Sequence, residues 1–170
     1  MYPAGMKENA SIFNHTQGWA VIAETMLGRG DRAYEYYRAY MPSAFNNKAE
    51  IRQIEPYVHC QWTHSKYSRR FGAGRIPWLT GTVAWSYYAA TQYILGIRPD
   101  YKGLRIDPCL PSKWKRIGVR RKFRGMDFNI TINNRAKGKG VKRMRLNGEN
   151  VKDNLLLVDR CKKHNEVFVG

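Results

Sequence analysis

Cysteine is scarce in this sequence, and long apolar runs are absent from it. The chain of 170 residues has three widely spaced cysteines, Cys60, Cys109 and Cys161, and no CxxC pair. This number and spacing support neither a zinc site nor a disulfide framework, so we expect free thiols, a reducing cytoplasm and no metal. No apolar run approaches the roughly 18 residues of a membrane span, and the first residues lack the pattern of a signal peptide. The sequence therefore predicts a cytoplasmic protein without a membrane partner.

Acidic residues are also few. Asp and Glu number 13 against 30 Lys and Arg, so the net charge is +17. Such a charge indicates either a nucleic-acid partner or an acidic remainder that this chain does not include. Because few aromatic residues and no known binding motif accompany the basic residues, we favour a solvated basic sheet surface over RNA or DNA binding. The basic stretch comprises Lys113, Lys115, Arg116, Arg120, Arg121, Lys122, Arg124, Arg135, Lys137, Lys139, Lys142, Arg143 and Arg145.

The sequence before about position 100 has the pattern of helices. Apolar residues recur at helical spacing over 15–27, before Gly28, and over 80–95, before Gly96. Asp31 is placed to cap a further helix. Residues 50–62 allow a helix or an extended chain, and residues 63–77 are too polar and too rich in glycine for a core element. Helices joined by short loops predict an α/α bundle or toroid.

The sequence after about position 100 has the pattern of strands. Residues 98–103 contain the Pro and Gly of a linker. Apolar and polar residues alternate over 126–132, as in a strand with one buried face. Asn147-Gly148 is a strong hairpin signal, and short strands are predicted over 154–159 and 166–170. The predicted fold class is therefore α+β, with helices followed by a small β-sandwich.

Two predicted helix starts carry the chemistry of an anion site. His15 begins one helix, and Thr80-Gly81 begins the other. A helix start offers unpaired N–H groups and a partial positive charge, and Lys7 and Glu8 nearby provide an amine and a carboxylate for sugar hydroxyls. The alternatives are a capping histidine, an ordinary threonine cap and a solvated turn. Further positive charge is expected from a mobile loop that contains Lys66, Arg69, Arg70 and Arg75.

Four blocks of this sequence resemble glycoside hydrolase family 94, the inverting phosphorylases of cellobiose, laminaribiose, chitobiose and related sugars. The resemblance implies that residues 1–99 are the C-terminal half of an (α/α)6 toroid and that residues 100–170 are a β-sandwich domain. It also implies that His15, Thr80 and Gly81 bind phosphate and that Lys7 and Glu8 bind sugar. The blocks are KENASIFNHTQGWAVIAETMLGRGDRAYEYY, EPYVHCQ, WLTGTVAWSYYAATQYILGIRPDYKGLRIDPCLPSKW and RKFRG.

The family resemblance also implies the reaction and its reactants. The enzyme would be a glycosyltransferase that converts a β-linked glucan or disaccharide and inorganic phosphate into an α-sugar 1-phosphate. The resemblance implies no cofactor, and inorganic phosphate is a substrate. It also implies that the full-length enzyme is a homodimer.

This chain departs from the family pattern in one respect. The family's general acid is an Asp in a DWND-like segment upstream of the position of His15, and this chain has no such segment. We therefore expect a C-terminal fragment that carries the phosphate site, has no catalytic residue of its own and is inactive alone. The alternative is a stand-alone basic module that binds sugar or nucleic acid without catalysis.

Overall fold

The structure is a computed structural model that describes residues 1–134 and 138–170. Arg135 and Lys137 of the basic stretch lie outside the described residues. The chain has mixed α and β structure, as predicted, and it divides into two compact units. One unit comprises residues 1–23 and 34–89, and the other comprises residues 24–33 and 90–170. Within the described ranges, no helix is long and apolar enough to cross a membrane.

Two long helices lie where the sequence predicts them. Helix α1 is His15–Met26, and Gly28 follows it with φ of +74°, a conformation that favours glycine. Helix α2 is Gly30–Tyr40. Asp31 therefore lies in the first turn of α2 and is not its cap. Its carboxylate instead accepts hydrogen bonds from the backbone N–H and the hydroxyl of Ser112, at 2.7 and 3.0 Å.

Shorter helical segments follow. A 3-10 helix over Pro42–Lys48 leads into α3, Ala49–Arg52. Helix α4 is Thr82–Tyr88 and continues as a π-helical segment over Ala89–Ile94. Together the last two segments account for the helix predicted over 80–95.

The first unit contains a three-stranded sheet that the sequence did not predict. It consists of β1 (Ile12–Phe13), β2 (Cys60–Thr63) and β3 (Gly74–Pro77), in that order, and both pairings are antiparallel. The expectation that residues 63–77 form no core element is wrong. His64 is only 2% exposed: its backbone N–H donates to Ala73 O, and its Nδ1 lies 2.8 Å from the Ser68 hydroxyl, so this segment packs into the core despite its polar composition.

The second unit contains two sheets. The smaller one has the order β10-β5-β4 and consists of β4 (Ile97–Pro99), β5 (Gly103–Ile106) and β10 (Leu155–Leu157). Strands β4 and β5 form a hairpin over the residues predicted as a linker. The Asp100 carboxylate accepts the N–H of Lys102 at 3.1 Å, so this residue makes a turn where the sequence suggested a boundary.

The larger sheet has five strands in the order β6-β7-β11-β8-β9, with β11 parallel to β7. Its hairpin at Asn147-Gly148 is confirmed, with φ of +52° and +92° at the two turn residues. The alternation predicted over 126–132 is also confirmed, because Phe128, Ile130 and Ile132 are buried. The strands are β6 (Arg116–Phe123), β7 (Met126–Asn133), β8 (Met144–Leu146), β9 (Glu149–Val151) and β11 (His164–Val169).

Candidate anion-binding site

The structure brings His15 and the Thr80-Gly81 segment into direct contact. The Nε2 atom of His15 lies 2.8 Å from Thr80 Oγ1, and the backbone N–H of Gly81 donates to the same nitrogen at 3.1 Å. All three residues are partly exposed. The three residues predicted to bind an anion therefore form one cluster, although His15 lies 65 residues from Thr80 in the sequence.

One backbone carbonyl holds both segments of this cluster in place. The Asn14 side chain, directly before α1, donates to Cys60 O at 3.1 Å, and the Thr82 hydroxyl at the start of α4 donates to the same oxygen at 3.1 Å. Asn14 and Thr82 are buried, with 8% and 0% exposure. Strand β2 therefore positions the starts of α1 and α4 together, because a buried carbonyl retains its hydrogen-bond partners.

The hydrogen bonds also determine which ring nitrogen of His15 carries the proton. Because Gly81 donates to Nε2, that nitrogen is an acceptor, and the neutral ring carries its proton on Nδ1. Burial lowers the pKa of His15 below its ordinary value of 6.5. The ring is therefore neutral near pH 7, and a proton added at Nε2 would separate it from the Gly81 N–H.

Thr80 links the ring to the start of α4. Its hydroxyl oxygen accepts the N–H of Thr82 at 3.1 Å and lies 2.8 Å from Thr82 Oγ1. Gly81 has φ of −73°, so its backbone does not require glycine. A Cβ at Gly81 would lie 3.4 Å from His15 Cε1, in van der Waals contact with the imidazole.

Lys7 and Glu8 lie in a tight turn before β1. Lys7 has φ of +47°, and its Nζ donates to the side chain of Gln61 at 2.8 Å. Gln61 belongs to β2, and its carbonyl accepts the N–H of Asn14, directly before His15. Glu8 is exposed, and its carboxylate forms no hydrogen bond or ion pair within the described residues. Sequence reasoning missed Gln61, which connects the predicted sugar-binding lysine to the segment that carries His15.

The basic loop residues do not join this cluster. Arg75 donates to the carbonyl of Gly74 at 2.7 Å, and Lys66 lies over the ring of Tyr67 at 5.4 Å. In residues 1–134 and 138–170, neither Arg69 nor Arg70 has a side-chain bond to His15 or Thr80. In the same residues, no group of three His, Cys, Asp or Glu side chains is arranged to hold a metal.

Backbone strain is concentrated just before Thr80. Ile76 and Trp78 have φ of +52° and +67°, the left-handed region that β-branched and bulky residues rarely adopt. Each such residue costs on the order of 1–3 kcal/mol and persists only where the surrounding structure imposes it. Trp78 is fixed in part by its indole N–H, which donates to the Glu55 carboxylate at 3.1 Å. The segment that presents Thr80 and Gly81 is therefore held in a defined, strained conformation.

A sequence profile of the glycosyl hydrolase 94 superfamily catalytic domain matches residues 1–96, which include the whole cluster. The chain belongs to this superfamily. A second profile, the C-terminal domain of glycosyl hydrolase family 65, matches residues 97–151 of this glycosyl hydrolase 94 chain.

Curated relatives of this glycosyl hydrolase 94 chain include several phosphorylases. N,N'-diacetylchitobiose phosphorylases from Vibrio proteolyticus and Vibrio furnissii are 45% and 43% identical over 85% and 86% of the chain. Solabiose phosphorylase from Paenibacillus borealis is 31% identical over 86% of the chain. The chain spans only 18% of the two Vibrio proteins and 19% of the Paenibacillus protein.

Proposed function

We propose that this chain is the phosphate-binding part of an inverting phosphorylase that converts a β-linked disaccharide and phosphate into an α-sugar 1-phosphate and a shorter sugar. The observation that carries the proposal is the cluster of His15, Thr80 and Gly81. It places a hydroxyl 2.8 Å and a backbone N–H 3.1 Å from the same titratable ring nitrogen. These are the groups that bind a phosphate oxyanion.

Phosphate would enter this cluster together with a proton. Protonation of His15 at Nε2 turns that nitrogen from an acceptor into a charged donor. The Gly81 N–H then loses its partner and is free to donate to a phosphate oxygen, while the Thr80 hydroxyl donates to another. In this proposal the three groups hydrogen-bond to each other before an anion binds, and all three become donors to the anion once it is bound.

The reaction needs only one protein acid, because phosphate is itself an anionic nucleophile and no base has to activate water. A general acid protonates the glycosidic oxygen, and phosphate attacks the anomeric carbon from the opposite face. We infer that this acid comes from an upstream part of a longer protein. In that protein, residues 1–99 would complete an (α/α)6 toroid, and residues 100–170 would form a β-sandwich domain. Lys7, Glu8 and Gln61 would hold the sugar beside the phosphate.

The choice of sugar follows from the relatives. The two relatives above 40% identity are named for N,N'-diacetylchitobiose, whereas the relative at 31% is named for solabiose. We therefore propose N,N'-diacetylchitobiose, with phosphate, as the first disaccharide to test on a full-length protein that contains this sequence. Release of N-acetylglucosamine 1-phosphate is the expected result.

The anion site is testable on the chain itself. Titration with phosphate, followed by the NMR shift of the Gly81 amide, should give saturable binding. His15→Ala and Thr80→Val should each weaken it by about 1.5–3 kcal/mol, because each removes a donor to a charged ligand.

Matched controls are Thr16→Val, next to the site, and His164→Ala, an exposed residue at the start of β11. Both should keep the affinity of the parent chain. Unchanged phosphate affinity in the His15 and Thr80 variants would refute the assignment. Binding of sugar or nucleic acid with no phosphate binding would favour the stand-alone module instead.

A further inference from the structure

The exposed face of the five-stranded sheet contains a groove that the proposed phosphorylase function does not use. Its volume is about 660 Å³. Three basic side chains, an exposed aromatic ring and an amide line it, and among the described residues no Asp or Glu side chain does. The lining residues are Asn133, Lys142, Arg143, Arg145, Gly148, Phe168, Val169 and Gly170.

The register of the strands places Phe168 in the middle of this face. Phe168 pairs with Thr131 on β7 and with Arg145 on β8, and Arg145 pairs with Asn150 on β9. Successive residues of a strand point to opposite faces, so Phe168, between the buried Val167 and Val169, points away from the core. The ring is 46% exposed and forms an apolar platform among polar neighbours.

Three exposed basic side chains surround this platform. Lys142, Arg143 and Arg145 are exposed, and none of them forms an ion pair within residues 1–134 and 138–170. Arg145 Nε donates to the side chain of Asn150, its pairing partner on β9, at 3.3 Å, and this bond restrains the guanidinium.

Two carboxylates on this face, Glu166 and Asp127, do not line the groove, and Glu166 lies two residues before Phe168 on β11. Glu166 accepts from Asn129 at 2.6 Å, and Asp127 lies 3.4 Å from His164. Because Lys142, Arg143 and Arg145 all line the groove, its positive charge favours anions.

We propose that this groove binds an anionic polysaccharide, a chain of uronic-acid type. The C–H face of a sugar ring packs on Phe168, its carboxylates pair with Arg143, Arg145 and Lys142, and its hydroxyls bond to the amides of the face. A single-stranded nucleic acid usually stacks successive bases on several aromatic rings, and this groove offers one. A polysaccharide can pack one of its sugar rings on a single aromatic side chain, so one phenylalanine is sufficient for this contact. The ligand class is therefore a charged glycan.

The test is a binding titration of the whole chain with a galacturonic acid decamer, a neutral maltodecaose and a uridine decanucleotide. The galacturonate decamer should bind most tightly, with an affinity that falls as salt rises. Phe168→Ala and Arg145→Gln should each weaken it by about tenfold, since one removes the stacking platform and the other a charge-assisted contact.

Arg120→Gln is the matched control, because Arg120 lies on the same sheet face but does not line the groove. It should change the affinity by less than about twofold if the groove is the site. The proposal is overturned by an equal loss in Arg120→Gln, by no loss in Phe168→Ala, or by tighter binding of the uridine or neutral oligomer. The phosphate titration of the Gly81 amide is independent, so the two proposals fail separately.

Discussion

At the scale of single residues, His15 is the residue that would control the proposed anion site. Its Nε2 accepts the Gly81 N–H, so in this proposal one proton decides whether the cluster bonds to itself or to an anion. Burial lowers its pKa, which keeps the ring neutral when no anion is bound. A bound oxyanion opposes this effect, because an adjacent negative charge favours the imidazolium.

Anion binding to this cluster should therefore take up a proton. With sulfate, which stays a dianion over the range, the affinity should rise as the pH falls from about 8 towards the lowered pKa of His15, because less free energy is then needed to protonate the ring. In His15→Gln, which retains hydrogen-bonding groups but does not titrate, the pH dependence should be much shallower. Calorimetric titrations at several pH values measure both slopes. Equal slopes in the two proteins would show that His15 does not gain the proton.

How much of the site the sequence could predict depends on how local each residue's role is. His15, Thr80 and Gly81 were predicted because a helix start is a local feature. Gln61 was missed because its contact with Lys7 spans 54 residues and depends on the pairing of β1 with β2. A glutamine on a short strand has no charge, capping pattern or spacing that identifies it in a sequence, so its role becomes visible only from the pairing of the strands.

At the scale of elements, the site depends on how closely α1 approaches α4. Gly18 of α1 faces Trp85 of α4, and a Cβ on Gly18 would lie 3.0 Å from Trp85 Cβ and 3.3 Å from its carbonyl oxygen. The contact would involve the backbone and the Cβ atom of Trp85, neither of which moves easily. Glycine therefore sets the spacing of the helices that carry His15 and Thr80.

Gly18→Ala should consequently destabilise the chain, although alanine is the better helix former. The gain in helix propensity is about 1 kcal/mol, whereas overpacking typically costs 1–3 kcal/mol. We expect a net loss of unfolding free energy in urea together with weaker phosphate binding. The control is Gly118→Ala, where a Cβ meets nothing within 4 Å. A Gly18→Ala chain that is more stable and binds phosphate as before would contradict this account of the helix contact.

Elements with strong local signals were predicted, and elements formed by distant pairing were not. The Asn147-Gly148 hairpin is specified by two residues with positive φ. The hairpin over residues 97–106 was taken for a linker, because Pro and Gly mark a turn and a boundary alike. Residues 63–77 were taken for a mobile loop, because their composition does not reveal that β2 and β3 pair. The toroid and the sandwich stay predictions.

At the scale of the whole molecule, acid acts on a chain that is already strongly positive. The net charge of +17 rises further as carboxylates and histidines gain protons. Self-repulsion then opposes the compact state. Among the histidines, His59 has a strongly lowered pKa: burial and the Arg52 cation lower it to about 4.

His59 should therefore make the chain sensitive to acid below about pH 6.5. Between the unfolded pKa of 6.5 and the folded value of about 4, the unfolded chain binds more protons at this position, so stability falls as the pH falls. Above pH 6.5 the ring is neutral in both states and the full stability is present. The loss, nearly complete by about pH 4, should be at most about 3 kcal/mol, because each pKa unit corresponds to 1.36 kcal/mol and solvent screens a partly exposed ring. Urea unfolding at pH 7 and pH 4 measures it. His59→Gln should lose that much less stability on acidification than the parent, whereas the exposed-site variant His164→Gln should follow the parent. A His59→Gln chain that is as sensitive to acid as the parent would place the titrating group elsewhere.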